Sequence, residues 1–474
     1  MESDRTAPPA DRFGLAGRRR VKTGPVVILG GGLAGLAAGY VLTGQGVPVC
    51  LLESRPRVGG MSRTVEHQGF LFDLGGHRFL TSNPKIEKLV LELLGDETLV
   101  VSRTSKIFMF ERYFDYPLKP TNAIFGLGLA TTLRILLDYA KVKLLQLFRA
   151  PKMVSLEDWI VNQFGRRMFD LYFKGYSEKV WGIPCNRISK EWIAQRIKGL
   201  SLGVAIKNAF FKVSGRQVPT LTDEFYYPRL GIGRISERFK EEIETVGQVR
   251  TGTRAVRINH RDFRVTSVIA RDAAAEECLE GSEFVSSIPL TTLVRSLQPP
   301  PPNDILEAAA ALRFRDLVVV TLMLDRPRVT GLTWLYLPGQ DIPFGRLHEP
   351  RNWSPAMAPA GKTHLVVEYF CFRDDAIWQA GDEELTALTV HHLEKLDFIQ
   401  AREVLDSYVI REPKAYPLFE VGYTEHYEKI IAYLNKFANL HVAGRGGMFK
   451  YYNMDHAIES GVAVAEKILA GYST

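Results

Sequence analysis

Three glycines and one acid carry the first legible chemistry of this chain. Gly30, Gly32 and Gly35 stand in GxGxxG spacing directly after the apolar run Val26-Val27-Ile28-Leu29. Glu53 ends a second apolar run about 20 residues further on. Such a set can bind two linked phosphates and a ribose. The first glycine makes a tight turn, the second lets backbone approach a pyrophosphate, and the third lets a helix pack close to the strand before it. Leu33 and Ala34 open that helix, where unpaired N–H groups and a partial positive charge face the phosphates. Glu53, with Ser54 beside it, is placed to accept hydrogen bonds from ribose hydroxyls. The elements that must hold these residues are a buried strand Val26–Leu29, a helix Leu33 to Gln45 and a strand Val47 to Leu52. A lone GxGxxG could be a glycine-rich turn. Strand, helix, strand and acid in this order predict a dinucleotide cradle.

Two glycine pairs follow. Gly59-Gly60-Met61-Ser62-Arg63 comes soon after Glu53, with Arg55 and Arg57 between. The apolar run Phe70-Leu71-Phe72-Asp73-Leu74 ends at Gly75-Gly76-His77, where backbone can come close to a flat ring. His77 is either a group beside that ring or a satisfied buried histidine. Cradle and first doublet together resemble the large FAD-dependent family that includes amine oxidases, protoporphyrinogen oxidase, phytoene desaturases and UDP-galactopyranose mutase. The resemblance implies FAD as cofactor. Gly59, Gly60, Met61 and Ser62 would line its pyrophosphate and ribityl chain. Gly75, Gly76 and His77 would lie beside its isoalloxazine, and a residue near Val256 would touch the adenine. No second GxGxxG follows a strand, so a separate NAD(P) domain is not expected, and a reductant such as NAD(P)H would be external.

One branch of that family stands nearer. Lys174–Gly182, reading KGYSEKVWG, resembles the GYTEKxWG run of UDP-galactopyranose mutases. Ala443-Gly444-Arg445, followed by Phe449 to Met454 reading FKYYNM, resembles their ending GGR…YKYYDM. Arg346-Leu347-His348-Glu349 is similar to their RIxEHK, and Tyr416-Pro417 and Trp192 to Arg196 are weaker echoes. The resemblance implies Tyr176, Trp181, Tyr416 and Tyr451 as walls of a sugar-phosphate pocket, and Arg445, Asn453 and Met454 beside the flavin. It makes Arg196 and Arg346 a two-cation clamp on a departing diphosphate, arginine being the better bidentate phosphate ligand. His77, Arg196 and Arg346 are thus the catalytic candidates. The chain departs from the branch at Leu80, where GxHIFHT has its second histidine, and at Asn453, where YYDM has aspartate.

Three functions compete. The first is a flavoenzyme acting on an activated sugar, nucleotide-linked or polyprenyl-phosphate-linked, an anionic small molecule. The alternative is an FAD-dependent oxidoreductase of the amine oxidase, desaturase or protoporphyrinogen oxidase type, removing hydride from an apolar substrate. The third is a flavoprotein that uses its cofactor structurally. Arginines buried in the pocket favour the first; an aromatic cage without a buried arginine favours the second.

The rest of the sequence bounds these readings. At 474 residues there is ample length for two or three lobes, and 46% hydrophobic with 24% charged residues is ordinary for a globular chain. A net charge of +7, with no basic block beyond Arg18-Arg19-Arg20, suits an anionic small molecule and not nucleic acid. Cys50, Cys185, Cys278 and Cys371 are scattered without metal-ligand spacing, so a reduced, cytoplasmic protein without a metal site is expected. Residues 1–20 lack the apolar run of a signal peptide and read as a disordered tail. Residues 121–148 are apolar but broken by Arg134, Asp138, Lys141 and Lys143. They suit a surface helix, on a lobe or against a membrane face, and not a spanning one. Nothing in the sequence sets an oligomeric state.

The expected fold class is α/β: a discontinuous Rossmann-type FAD-binding domain, an inserted helical lobe, and a second, antiparallel or mixed substrate sheet. The FAD domain draws on 21–95, 225–298 and 437–474. The lobe is 96–224, including an aromatic hairpin over 106–117, and the substrate sheet lies in 299–436.

Overall fold

The computed structural model describes residues 24–116, 128–148, 150, 153–194 and 224–472 of the chain. The apolar run Val26–Leu29 is the middle strand of a five-stranded sheet and is buried along its whole length. Across that sheet the strands are Leu440–Val442, Glu283–Ser286, Val26–Leu29, Val49–Leu52 and Gln248–Arg250, all parallel. A parallel sheet is covered on both faces, which is why these strands read as apolar runs and not as alternations. Val26 and Ile28 face the helices Leu33–Gly44, Gly233–Ile243 and Met454–Gly471. A Cβ on Gly461 would sit 2.1 Å from the Ala34 carbonyl oxygen, so the first and last of these helices meet backbone to backbone. Val27 and Leu29 face a second core with Phe284, Leu293 and Val268. The sheet is assembled from widely separated stretches of chain, so everything between them is carried as insertions.

The largest insertion is a seven-stranded sheet. Its order is Val404–Pro417, Phe314–Leu324, Thr363–Cys371, Arg346–His348, Trp334–Tyr336, Ser105–Met109 and Arg112–Asp115. Every residue of Phe314–Leu324 and Thr363–Cys371 is buried, in keeping with their unbroken Leu-Val runs. The hairpin Ser105–Asp115, expected with the helical lobe, extends this sheet instead. Its first strand pairs in parallel with Trp334–Tyr336, at Ser105–Trp334 and Ile107–Tyr336. The 14-residue strand Val404–Pro417 was not expected, because Pro413 and Lys414 (φ 56°) interrupt its pattern; a register shift between Arg315 and Leu317 absorbs the irregularity.

The lobe contains the helices Leu129–Phe148, Leu156–Phe164, Lys174–Trp181 and Glu191–Ala194. Ser155 starts the second as a capping box: its hydroxyl accepts from Asp158 N–H and the Asp158 carboxylate accepts from Ser155 N–H. The tail 1–20, part of 121–148, and the segment holding Arg196 lie outside the described residues. Among the described residues no helix is long and apolar enough to cross a membrane.

Candidate functional site

A cavity of about 540 Å³ opens where the strands Val26–Leu29 and Val49–Leu52 end. Its walls include Gly30, Gly32, Leu33, Ala34, Glu53, Ser54, Gly59, Gly60, Met61, Ser62, His77, Arg445, Asn453 and Met454, all expected from the sequence. The glycine turn is built for close approach. A Cβ on Gly35 would fall 2.1 Å from the Gly30 carbonyl oxygen, whereas a Cβ on Gly32 would meet nothing within 4 Å. Gly35 therefore packs the helix onto the turn, and Gly32 leaves open room for a ligand. No side chain caps the helix Leu33–Gly44, so its leading N–H groups are left for a phosphate. The helix Met454–Gly471 also begins at the cavity, uncapped by the side chain of Asn453. Two helix N-termini thus favour an anion there.

Glu53 does more than the sequence indicated. One carboxylate oxygen accepts from Gly31 N–H at 2.8 Å and the other from Arg55 N–H at 2.8 Å, so it also pins the glycine turn. A carboxylate has about four lone-pair sites, which leaves capacity for ribose hydroxyls. Glu412, on the unexpected strand Val404–Pro417, holds Arg55 at 2.6 Å and Arg63 at 2.9 Å. Arg63 in turn donates to the Gly60 carbonyl at 2.7 Å, so the seven-stranded sheet braces the glycine doublet. Burial lowers Arg63 from its usual value, opposed by Glu412.

Three residues expected at the cofactor are not among the cavity walls. Val256 is not among the cavity walls; Thr253, Arg254 and Ala255 are, because a bulge between Ala255 and Arg257 breaks the strand's alternation. Gly75 and Gly76 do not line the cavity either. Gly75 (φ 94°) abuts Glu368, and a Cβ on Gly76 would overlap the Trp334 indole at 2.5 Å. These glycines admit two large side chains next to His77.

The reactive-looking side chains converge next to His77. Arg346, largely buried, places Nη2 2.8 Å from Glu368 and 3.0 Å from the Tyr416 hydroxyl. Its Nε is buried with no hydrogen-bond partner among the described residues. Burial would lower Arg346, but Glu368 holds it well above its usual value. Burial raises Glu368 while Arg346 draws it back; arginine stays charged, so the pair stands as an ion pair. Tyr416 and Tyr451 are nearly parallel, 14° apart with centroids at 6.1 Å, and the Arg445 guanidinium lies 5.4 Å from each ring. Trp181 meets Tyr451 edge-on at 6.1 Å, and Tyr176 meets Tyr336 at 5.6 Å. Arg445 also donates from Nε to the Tyr452 carbonyl at 2.7 Å. His77 Nδ1 lies 3.2 Å from the Gly75 carbonyl, which makes it the donor and leaves Nε2 as an acceptor. Burial, then Arg445, push His77 down to about 3, so it is neutral near pH 7 and is no proton donor there.

Sequence reasoning missed Glu368, Glu412, Arg55 as an ion-pair partner, and Trp334. Glu368 lies in the apolar run of Thr363–Cys371, where only its being a carboxylate inside such a run could have flagged it.

The coproporphyrinogen III oxidase of Bacillus subtilis is 21% identical over 442 residues, covering 85% of this chain and 89% of that enzyme. The pig flavin-containing amine oxidase B is 37% identical over 95 residues, only 20% of this chain and 18% of its own length, so that likeness is local. The crystal structure of reduced UDP-galactopyranose mutase superposes with a TM-score of 0.81 at 22% identity, covering 94% of this chain and 96% of that one. At that identity the likeness establishes the α/β fold and not the substrate. Residues 33–469 match the family described as flavin containing amine oxidoreductase. With nearly the whole described chain inside that match, and a cradle shaped for a dinucleotide, the protein belongs to the flavin containing amine oxidoreductase family and is an FAD-dependent enzyme.

Proposed function

We propose that this enzyme acts on an anionic activated sugar, linked to a nucleotide or a polyprenyl phosphate, by redox-neutral flavin chemistry. The observation that carries the reading is Arg346: a charged guanidinium largely buried among Tyr416, Trp334 and Glu368, with its Nε lacking an acceptor. A buried donor without a partner costs about 1–3 kcal/mol, which a phosphate or sugar oxygen would recover. When bound, the flavin supplies an electron-rich ring to the anomeric carbon. The chain's own residues supply position and charge. Arg346 meets the negative charge that develops on a departing diphosphate, and Glu368 keeps its side chain in one place. Tyr416, Tyr451 and Trp181, packed on one another beside Arg445, are the proposed walls for the sugar. His77 contributes an acceptor and no proton. Arg196, outside the described residues, is proposed as the second cation of the clamp.

One observation favours the alternative, an oxidoreductase removing hydride from an apolar substrate: the near-parallel Tyr416 and Tyr451 pair, which would supply aromatic walls for such a substrate. A single anaerobic experiment separates the two. Dithionite-reduced protein is incubated with sugar nucleotides and polyprenyl-phosphate sugars, and oxidised protein with amines and porphyrinogens. An isomerised sugar without net change in flavin redox state supports the first reading. Bleaching of oxidised flavin by an apolar substrate, with no sugar turnover, overturns it.

A further inference from the structure

The helix Leu129–Phe148 presents an apolar face that no other described residue covers. Leu133, Leu137, Leu144, Leu147 and Phe148 recur at helical spacing and are exposed, the last two at 78% and 82%. The opposite face is committed to the protein. Ile135 is buried in the lobe core and Tyr139 packs against it. Lys143 and Gln146 donate to the Asn162 carbonyl at 2.9 and 3.1 Å, and Asp138 accepts from Arg167 N–H at 2.9 Å. These polar latches fix the helix's rotation, so the leucine face is held outward. The charges divide unequally. Asp138, the helix's acid, is turned inward, whereas Arg134 and Lys141 are exposed with no carboxylate partner among the described residues. The outward face is therefore apolar with two cations and no acid.

We propose that this helix docks the enzyme onto an anionic lipid surface, lying in the plane of the bilayer with its leucines below the headgroups. Twenty residues make a rod about 30 Å long, but its mid-helix charges forbid crossing, in keeping with the absence of a spanning helix among the described residues. Lipid chains take the leucines, and anionic headgroups take Arg134 and Lys141. A second copy of the chain would bring the same two cations against each other, which makes it the poorer occupant. Ile135 belongs to the same core as Trp181 and Tyr416, so the docked face lies on the lobe that carries one wall of the site. The proposal does not depend on the sugar-phosphate reading, because it concerns vesicles that contain no sugar.

FAD-loaded full-length protein is sedimented with vesicles of phosphatidylcholine alone or with one-third phosphatidylglycerol. Binding to the anionic vesicles, weakened by salt, is expected. Leu137→Glu with Leu144→Glu should lower that partition at least tenfold while leaving flavin content and melting temperature unchanged. Arg134→Glu with Lys141→Glu should abolish the preference for anionic vesicles. Absence of binding to either vesicle overturns the proposal, as does equal binding by the leucine double variant. A concentration-dependent dimer that the leucine variant dissociates, without vesicle binding, overturns it in favour of a self-association surface.

Discussion

At the scale of single residues, the site rests on charges held in place by other protein groups. Glu53 shows it: its carboxylate holds the Gly31 and Arg55 amides while it faces the cavity. Glu53→Ala should therefore weaken FAD binding at least tenfold, since a hydrogen bond to a charged group is worth about 1.5–3 kcal/mol and the glycine turn loses its anchor as well. Glu53→Gln should keep part of the affinity, and fluorescence titration of apoprotein with FAD measures both. Full retention of flavin by Glu53→Ala through dialysis would contradict the assignment. Arg346 and Glu368 form a second such unit. Arg346→Met leaves a buried carboxylate unpaired and should cost about 3–5 kcal/mol of stability. Adding Glu368→Leu should restore most of the melting temperature. Activity should stay down by two to three orders of magnitude in both, as when an oxyanion donor is removed, with FAD occupancy unchanged. Recovery of activity in the double variant would show that the pair only fills space.

Elements are tied to each other here by a few long side chains. Lys179, in the run that suggested the sugar pocket, donates to the carbonyls of Leu337, Gly339, Ile342 and Phe344. Those carbonyls belong to the loop that leads into Arg346, while Tyr176 and Trp181 flank Lys179 on its own helix. One ammonium thus locks the aromatic wall to the arginine. Lys179→Met should raise the hydrogen-exchange rate of the amides of 337–345 and leave FAD affinity within twofold, because the cradle is elsewhere. Lys179→Arg should restore much of the protection; unchanged exchange in Lys179→Met would refute the lock. Arg445 does the same work between the short helix Gly444–Gly447 and the tyrosine pair. Arg445→Ala should lower flavin occupancy or shift the flavin's potential, read by reductive titration. Wild-type values of both would separate Arg445 from the cofactor.

For the molecule as a whole, buried titratable groups set the response to acid. Burial pushes His77 and His364 down to about 3 and His348 well below its usual value. A histidine whose folded value is depressed gives stability that is present above about pH 6.5 and lost as pH falls toward the folded value. Asp73 acts oppositely. Burial raises it to about 6 despite hydrogen bonds from Thr64 and Tyr227, so its contribution is lost as pH rises from about 4 to 6. Burial also raises Asp316 and Glu368, so the three histidines lower stability as pH drops below about 6.5 while these three carboxylates oppose them. Each histidine contributes about 1.4 kcal/mol per pH unit at most. His364→Gln, which can keep a donor to the Leu71 carbonyl, should flatten the slope by up to that amount in pH-dependent denaturant melts. An unchanged slope would mean that His364 is not held neutral.

The cradle was legible because its causes are local. The turn at Gly30, the close packing at Gly35 and the buried strand Val26–Leu29 each demand a residue type at a fixed offset, and spacing alone reveals them. The same holds for the Ser155 capping box and for the buried runs 317–320 and 365–367. Tertiary structure decided what depends on contacts between distant strands. Glu412 reaches Arg55 and Arg63 across some 350 residues, and Glu368 meets Arg346 only because their strands are paired in register. The hairpin Ser105–Asp115 joined the seven-stranded sheet through a parallel pairing with Trp334–Tyr336, a choice of neighbour that no local pattern encodes. Val256 gave way to Ala255 because one bulge reverses which side chains face inward. Local sequence determined which chemistry the cradle can hold, and long-range pairing decided which charges stand opposite it, since pairing energy belongs to two segments at once and is written in neither alone.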